Sequence, residues 1–489
     1  MAHLNKIIEG LDVKVTGNEN VDIKRLVFDS RIARSGDLFV AQKGWSGDGH
    51  QYIPQVIAAG VNCILCENLP ADLQAGVTYI QSNDTHRDLG LAASNFYGRP
   101  SSNFKLIGVT GTNGKTSIAT LLYRMFTNLG HKAGLLSTVC NYVGAKKVES
   151  THTTPDAVSL NALLAEMAGA GCSYVFMEVS SHAVDQKRIA GLEFDGGIFT
   201  NITHDHLDYH KTFDAYIKAK KSFFDGLPSS AFALVNLDDK RASVMVQNTT
   251  ASKNSYALHS IADFKGKVIE SHFDGTLMQI NSKEVWIKLI GQFNASNLLA
   301  VFSTACLLKQ EPDEVLKQLS MLETVDGRFE YVRSQNGITA VVDYAHTPDA
   351  LKNVIDTINQ IRQGGAQLIT VVGAGGNRDK TKRPEMARIS ANGSDKLILT
   401  SDNPRFEEPQ DILNDMLAGV GPHLMKKVLS IVDRREAIRT AVMMASPGDT
   451  ILIAGKGHET YQDVKGQKSH FSDKEVVAEI FMLNQVNPQ

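Results

Sequence analysis

The stretch Lys105–Ser117 constrains the fold more than any other part of the chain. It begins as a short apolar strand, turns through Gly111 and Gly114, and continues through Lys115 and Thr116 into a segment that is apolar at helical spacing. This order is typical of a loop that binds phosphates. Backbone N–H groups and the helix N-terminus face the phosphates, the lysine neutralises the β and γ oxygens, and the threonine hydroxyl reaches Mg²⁺. The stretch therefore predicts an α/β protein that binds a nucleotide.

One position departs from the general phosphate-loop pattern. That pattern places a glycine five residues before Gly114, where this chain has Val109, flanked by Gly108 and Gly111. A Gly-Lys-Thr triplet also occurs by chance in ordinary loops. The strand before the loop and the helix expected over Ile118–Leu129 favour the phosphate loop over chance.

Length and composition limit the classes of protein. A chain of 489 residues predicts about three domains of ~150 residues. The chain is 43% hydrophobic and 21% charged, with a net charge of −3, which favours a soluble globular protein and disfavours a surface for nucleic acid. The N-terminus shows no signal peptide, and no apolar run reaches the ~18 residues of a membrane span. A soluble protein without a membrane span is expected.

The five cysteines are scattered along the chain, which suits a reducing compartment. Cys63 and Cys66 form a lone Cys-x-x-Cys, and a zinc site would need a second pair. Positions three apart on a strand point to opposite faces, so these two residues are interpreted as buried structural thiols.

The chain divides into three segments, and we expect domains at 1–102, 103–332 and 333–489. In the first, polar and glycine-rich stretches could hold a ligand, although turns have the same composition. These stretches are Phe28–Arg31, Gly36–Ala41 and Gly44–Gly49, the last including Trp45 and Ser46. Polar residues around Pro100, at Arg99–Ser102, indicate a linker.

In the second segment, two apolar strands end in chemistry-bearing residues. The strand Tyr174–Met177 leads to Glu178, and an acid at the end of a core strand downstream of a phosphate loop commonly holds Mg²⁺. A solvated strand-end glutamate is the alternative. The strand Gly197–Thr200 leads to Asn201–His210, which holds three histidines and two aspartates within seven residues. Zinc is disfavoured because no cysteine lies nearby, and a supporting role at a Mg²⁺–phosphate site fits better.

An amphipathic helix is expected over Tyr216–Phe224. On spacing alone, Lys218, Lys220 and Lys221 form a solvated face.

In the third segment, four apolar strands each lead into a polar loop, as expected of ligand-binding strand ends in an open α/β sheet. The strands are Val341–Val342, Leu368–Val372, Lys396–Thr400 and Thr450–Ala454. A dinucleotide site at Gly373–Gly376 is a weaker alternative, because its glycine spacing is wrong.

Taken together, the motifs resemble those of the Mur ligases, the ATP-dependent amide-forming family of peptidoglycan precursor synthesis. The resemblance covers essentially the whole chain. It is carried by Gly111–Thr116, Glu178–His182, Asn201–Asp208, the Asn294/Asn297 segment, Gly327-Arg328, Asp343–His346, Asp402–Arg405 and Gly455–Glu459. The family's loop uses the shorter glycine pattern, which accounts for Val109.

The resemblance implies three α/β domains. The first would bind the UDP substrate, the central one would be a P-loop-type ATP-binding domain, and the C-terminal one would be Rossmann-like and bind an amino acid. Asp402–Arg405 and Gly455–Glu459 resemble the corresponding segments of those members that add meso-diaminopimelate to UDP-N-acetylmuramoyl-L-alanyl-D-glutamate. A cytoplasmic monomer is expected.

The resemblance also implies the site residues. Lys220 matches the position of an N-carboxylated lysine in the pattern Tyr-x-x-Ala-Lys. The implied Mg²⁺ set is Thr116, Glu178, His206 and modified Lys220, and the implied catalytic set is Lys115, Glu178, His206, Lys220 and Arg328. The implied ATP set is Gly111, Thr112, Asn113, Gly114, Lys115, Thr116, Ser117, Asn294, Arg328 and Asp343. The implied set for the UDP-muramoyl dipeptide is Ser30, Thr153, Thr154, Ser180, Gln186 and Arg188, and that for diaminopimelate is Arg378, Asp402, Asn403, Pro404, Arg405, Gly455 and Glu459.

Arg405 is the residue expected to select the amine. Diaminopimelate is a lysine with an extra carboxylate, which an arginine can hold in a bidentate pair. Lysine would leave Arg405 buried and unpaired. The sequence shows no nucleophile elbow, in keeping with a reaction that proceeds through an acyl phosphate.

Two alternatives stay open. A folylpolyglutamate synthase shares the phosphate loop and the three-part layout, but it would not need the long first segment or Asp402–Arg405. A P-loop regulatory switch would bind a nucleotide without forming an amide, and the four polar strand ends of the third segment argue against it.

Overall fold

A computed structural model describes residues 1–44, 47–150 and 152–486. Trp45 and Ser46 of the predicted glycine-rich ligand loop, and Thr151, lie outside the described residues. Among the helices of the described part, none combines the length and the apolar character that crossing a bilayer would require.

The first sheet has five strands and is parallel except at one edge pair. Its strand order is Val13–Thr16, Thr78–Ser82, Cys63–Cys66, Asp37–Val40 and Arg25–Val27. A two-stranded ribbon, Ala2–His3 with Asp22–Ile23, does not pair with this sheet, although Ile23 packs into its core. The helices of this region are Leu4–Ile7, Gly49–Tyr52 (3-10), Ile53–Ala58 and Thr85–Phe96.

The two cysteines of this sheet behave as predicted. Both are buried and free. Cys63 packs in the core with Leu38 and Leu65, whereas Cys66 packs in the core with Phe39 on the opposite face. The alternation of a strand places them there.

The expected linker is a packed 3-10 turn, Pro100–Asn103. Pro100 and Ser101 are buried, and the Ser101 hydroxyl accepts a hydrogen bond from the backbone N–H of Glu193 at 3.1 Å. This connection is therefore fixed against the central sheet.

The central sheet has eleven strands. Their order is Lys146–Val148, Asn141–Val143, Ala133–Leu136, Tyr174–Glu178, Lys105–Thr110, Gly196–Phe199, Phe232–Asn236, Ser252–Ala257, Phe264–His272, Gly275–Ile280 and Lys283–Ile287. The phosphate-loop strand Lys105–Thr110 pairs in parallel with Tyr174–Glu178 on one side and Gly196–Phe199 on the other. The site residues predicted after these strands therefore lie together at the carboxyl ends of the strands.

Helices cover this sheet. They are Lys115–Asn128, Ala157–Gly169, Ser181–Asp185, Leu207–His210, Phe213–Asp225, Ala242–Met245, Gln292–Leu307 and Pro312–Met321. The helix after the phosphate loop begins at Lys115, three residues before the predicted start, because its first turn is polar and gives no apolar period. Gly114, at φ 89°, forms its N-cap.

The third sheet has six strands, parallel except for the first pair. The order is Glu330–Arg333, Thr339–Asp343, Thr450–Ala454, Leu368–Val372, Lys396–Leu399 and Val428–Ser430. Its helices are Pro348–Ile361, Lys382–Gly393, Pro409–Leu417, Pro422–Lys427 (3-10), Arg434–Met444 and Asp473–Val486, with a hairpin of Tyr461–Val464 and Gln467–His470. The four polar strand ends predicted for the third segment are neighbours in this sheet. The predicted boundary at 332 falls within its first strand, and the three domain ranges stay predictions.

Candidate active site

The phosphate loop is closely packed, which explains its glycines. A Cβ on Gly111, at φ 152°, would lie 1.8 Å from the Thr200 hydroxyl oxygen. Lys115 Nζ donates to the carbonyl oxygens of Gly111 and Thr112, each at 2.8 Å. Burial lowers the pKa of Lys115. The ammonium is thus held back over the loop at the start of its helix, where a phosphate would provide a stronger partner.

Glu178 ends the neighbouring strand and is only 1% exposed. Its Oε1 accepts from the Thr138 N–H at 2.7 Å, but its Oε2 is buried without a hydrogen-bond partner. An unsatisfied buried carboxylate oxygen costs about 1–3 kcal/mol or more, and a divalent cation would satisfy it. The residue fits the predicted metal role better than that of a solvated glutamate.

His206 meets the same cavity from another loop. It adopts φ 56° and caps the short helix Leu207–His210, and burial lowers its pKa. A neutral imidazole is the form that binds metals. Within the described residues no three His, Cys, Asp or Glu side chains gather into a metal cluster. A cation here would therefore draw on the mixed set predicted, including the hydroxyl of Thr116.

The rest of the histidine cluster divides between the site and the structure. Asp205 and Asp208 line the cavity with His206. His210 instead packs behind it, with Nε2 at 2.9 Å from the Ser181 hydroxyl. His204 stacks edge-on against Phe213.

The expectation from spacing that Lys220 is solvated is wrong. Lys218 is exposed and Lys221 pairs with Asp225, whereas Lys220 is only 1% exposed. Its Nζ donates to the Gly111 carbonyl at 2.8 Å, the same oxygen that Lys115 uses. Burial, with the nearby Lys115, lowers the pKa of Lys220 well below its ordinary value. The neutral amine so favoured is the form that reacts with CO₂, as the predicted modification requires.

A cavity of about 430 Å³ joins most of the predicted site. Its predicted lining residues come from both the central and the third sheet: Thr112, Asn113, Gly114, Lys115, Thr116, Thr153, Thr154, Glu178, Ser180, Arg188, His206, Lys220, Arg328, Arg378, Asp402, Asn403, Arg405, Gly455 and Glu459. Seven predicted residues are absent from that lining: Ser30, Gly111, Ser117, Gln186, Asn294, Asp343 and Pro404. Ser117 and Asp343 line a second cavity instead, Ser30 and Gln186 are half-buried, and Gly111, Asn294 and Pro404 are buried.

Gln186 orients an arginine. Its Oε1 accepts from Arg188 Nε at 3.0 Å and from Nη2 at 2.6 Å, and Arg188 Nη1 donates to the Thr154 carbonyl at 2.7 Å. Burial lowers the pKa of Arg188. The guanidinium and the Thr154 loop thus form one rigid wall of the cavity.

The far end of the cavity is formed by the strand ends of the third sheet. Arg405 is half-buried, with φ 51°, and its Nη1 donates to the Gly376 carbonyl at 2.8 Å. Arg405 is thus partly exposed and has a backbone partner here, and what bound lysine would do to it stays a prediction. Gly455, at φ 115°, has no room for a Cβ, which would lie 2.6 Å from Asp402 Oδ2. Glycine here lets the backbone approach that carboxylate.

A second cavity, of about 390 Å³, lies beside the phosphate loop. Asn297 lines it, whereas the predicted Asn294 is buried and donates to the Ile290 carbonyl. Asp343 lines it, and its carboxylate accepts from the N–H groups of Phe329 and Ala345, each at 2.7 Å.

Several lining residues of this second cavity were not predicted: Tyr256, Phe293, His346, Asp349 and Asn353. Asp349 Oδ2 accepts from Asn113 Nδ2 of the phosphate loop at 3.0 Å. Asp349 lies three residues after the Asp343–His346 motif, in the polar stretch that follows the strand, and that stretch was a signal that could have found it. Five residues line both cavities: Asn113, Gly114, Arg328, Tyr344 and His346.

Comparison with known families matches three consecutive regions. Residues 22–97 match the Mur ligase family catalytic domain, 109–305 the Mur ligase middle domain, and 327–457 the glutamate ligase domain of Mur ligases.

Comparison with individual proteins points to the same family. The chain is 59% identical over 471 residues to the UDP-N-acetylmuramoyl-L-alanyl-D-glutamate–2,6-diaminopimelate ligase of Bacteroides fragilis, covering 96% of this chain and 97% of that protein. A solved structure of a ligase with the same name is 28% identical, with a TM-score of 0.69 and 99% of both chains covered. A folylpolyglutamate synthase of Mycobacterium tuberculosis, 19% identical with a TM-score of 0.62, covers only 76% of this chain and shows the fold alone.

Proposed function

Because the chain belongs to the Mur ligase family, we infer that it is an ATP-dependent amide ligase of peptidoglycan precursor synthesis. It adds meso-2,6-diaminopimelate to UDP-N-acetylmuramoyl-L-alanyl-D-glutamate. The observation that carries this conclusion is the identity of 59% across nearly the whole chain to a ligase with that printed activity. The cavity that joins the phosphate loop to the third sheet's strand ends supports it.

The chemistry follows from the reactants. A carboxylate and an amine do not condense in water, because oxide or hydroxide would have to leave. Transfer of the γ-phosphoryl group of ATP to the D-glutamyl side-chain carboxylate gives an acyl phosphate and ADP. The amine then attacks the acyl carbon, and phosphate leaves. Positioning and charge stabilisation are the main tasks of the protein.

We assign the phosphoryl end of the site to Lys115, which lines the first cavity, and to Arg328, which lines both cavities. Thr116, Glu178, His206 and carbamylated Lys220 would hold Mg²⁺, with the unsatisfied Glu178 Oε2 as the supporting observation. When bound, Mg²⁺ would neutralise charge on the transferring phosphoryl group. Asn113, Ser117, Asn297 and Asp343 line the cavity proposed for the rest of the nucleotide.

We assign the amine to the opposite end of the large cavity. Arg405 and Arg378 would hold the distal carboxylate, and Asp402 and Glu459 would receive the ammonium groups. The mixture of two cations and two carboxylates matches a ligand that is a zwitterion at both ends. Thr153, Thr154, Ser180 and Arg188, oriented by Gln186, would hold the muramoyl dipeptide between the two ends, and Ser30 would contact its UDP part.

We further propose that the chain works as a cytoplasmic monomer.

The experiment is phosphate release from ATP in the presence of the UDP-muramoyl dipeptide. Meso-diaminopimelate and L-lysine are supplied in two parallel reactions. In a third reaction, a folate and L-glutamate replace the dipeptide and the amine. The expected result is release with diaminopimelate only, together with a tripeptide product by mass. Release with lysine would keep the ligase and refute the assignment of Arg405. Release only with folate and glutamate would replace the proposed function by that of a folylpolyglutamate synthase.

A further inference from the structure

Lys456 is fully buried between two residues of the proposed amine pocket. It follows the strand Thr450–Ala454, is 0% exposed, and is not among the cavity-lining residues, although its neighbour Gly455 is. Its Nζ donates to Asn403 Oδ1 at 3.1 Å and to Glu459 Oε2 at 3.2 Å. A buried ammonium is costly unless it is paired, so this lysine is present for its partners.

Lys456 and Asn403 donate to the same carboxylate oxygen of Glu459. Asn403 Nδ2 donates to Oε2 at 2.8 Å, beside the bond from Lys456. Glu459 Oε1 accepts no hydrogen bond from the described residues, and Glu459 lines the cavity. The carboxylate is therefore anchored through one oxygen and leaves the other for a ligand.

The charges around Glu459 make this anchor important. Burial and the neighbouring Asp402 raise the pKa of Glu459, whereas Lys456 and the hydrogen bond from Asn403 oppose that rise. The other groups near it are occupied or neutral. Arg434 is held by Asp473 at 2.7 Å, Arg405 donates to the Gly376 carbonyl, and burial raises the pKa of the phenols of Tyr344 and Tyr461.

We propose that Lys456 is a positioning residue for the amine substrate: it anchors Glu459 through Oε2 and keeps the carboxylate charged, so that Oε1 receives an ammonium group of the diamino acid. This deepens the proposed function and rests on it. Lys456 need not touch the substrate to act.

The proposal has a specific pH signature. A carboxyl group is charged above its pKa, so removing the Lys456 charge, which raises the pKa of Glu459 further, delays its ionisation to higher pH. The Lys456→Met enzyme should bind diaminopimelate poorly at neutral pH and regain affinity as the pH rises. A purely structural loss would not recover in that direction.

The test measures KM for diaminopimelate and for ATP, against pH, in four enzymes besides the parent. These are Lys456→Met, Glu459→Gln, the double variant, and Lys396→Met as a control. Lys396 is half-buried and begins the strand Lys396–Leu399, whereas Lys456 follows the end of its own strand. The Nζ atom of Lys396 contacts the Met444 carbonyl at 3.3 Å. Lys456→Met is expected to raise KM for diaminopimelate about 10- to 100-fold, the range for a charge-assisted contact, with KM for ATP unchanged. The double variant should match Glu459→Gln alone, because Lys456 acts through Glu459.

Three results would overturn the proposal: an unchanged KM for diaminopimelate in Lys456→Met, a rise that is independent of pH, or losses that add in the double variant. If Lys456→Met does not fold, Lys456→Gln retains a donor without the charge, and the same pH shift is required of it. A parent enzyme that ignores diaminopimelate would refute the proposed function instead.

Discussion

Arg328 Nη2 donates to the Thr116 hydroxyl at 3.1 Å. This contact joins the first turn of the phosphate-loop helix to the loop before the strand Glu330–Arg333 of the third sheet. The guanidinium also lies 4.5 Å from the centroid of the Tyr344 ring. Arg328 is thereby held where the two cavities meet, with its charge directed at the region proposed for phosphoryl transfer.

Replacing Arg328 should therefore affect the chemical step. We expect Arg328→Ala to lower kcat about 100-fold, as the loss of one preorganised donor to developing charge does, with a smaller change in ATP affinity. Single-turnover acyl phosphate formation and ATP titration measure the two quantities. Arg333→Ala, an exposed arginine five residues on, is the control. A loss confined to ATP affinity would assign Arg328 to ground-state binding only.

Lys220 should carry a carbamate. The parent enzyme, equilibrated with ¹³C-bicarbonate, is expected to show a carbamate carbon signal by NMR, because burial lowers the pKa of Lys220 and favours the neutral amine that adds CO₂. Lys220→Gln should lack the signal and lose at least about 100-fold in kcat, since a fixed anion at this place would be gone. Lys218→Gln, on the exposed face of the same helix, should keep both. Full activity of the parent without any carbamate signal would contradict the assignment.

Arg405 should determine use of diaminopimelate. Arg405→Ala is expected to raise KM for diaminopimelate about 100-fold, because the carboxylate loses a charge-assisted bidentate partner. ATP binding by calorimetry should not change. The control is Arg435→Ala, an exposed arginine that pairs with Glu479. Equal activity of Arg405→Ala and the parent on diaminopimelate would refute the selection role.

The region around the third sheet should become less stable at acid pH, because protonation of Glu407 removes an ion pair. Arg383 holds this carboxylate at 2.9 Å and lowers its pKa from 4.5 to about 2. Because the folded pKa is depressed, the stabilisation is present above the ordinary pKa and is lost as pH falls toward 2. The shift corresponds to about 3 kcal/mol of unfolding free energy as an upper bound.

Urea unfolding between pH 6 and about 2.5 measures this effect, within the acid range in which such carboxylates titrate. Glu407→Gln should flatten the pH dependence relative to the parent, whereas Glu408→Gln, at an exposed neighbour that pairs with Lys465, should not. Parallel curves for Glu407→Gln and the parent would show that the ion pair contributes nothing to acid sensitivity.

Much of the architecture could be predicted from local patterns in the sequence. Apolar runs of buried strands, each followed by polar residues, located Glu178, Asp343, Asp402 and Gly455 at strand ends. Parallel pairing then brings such ends to one edge of each sheet. At Gly111 the fold adds a reason for glycine, because a Cβ there would lie 1.8 Å from the Thr200 hydroxyl oxygen.

Other features depend on contacts that no local pattern contains. Periodicity shows that Lys220 lies on a helix but not what covers that face, and here it is the Gly111 carbonyl. Asn294 and Asn297 share a helix face, yet only Asn297 lines the cavity, because the Asn294 side chain donates to the Ile290 carbonyl just before the helix. Asp349 bonds to Asn113 across 236 positions of sequence, a pairing that only the folded chain creates.

The five residues that line both cavities have a pharmacological consequence. Because Asn113, Arg328 and their neighbours border both spaces, a single molecule carrying an adenosine at one end and a diamino diacid at the other could occupy both through a short phosphonate bridge. Joining two weak ligands in this way converts the second binding event into an intramolecular one. Such a bisubstrate inhibitor would draw selectivity from Arg405 and Glu459, which an ATP-mimetic drug alone would never contact.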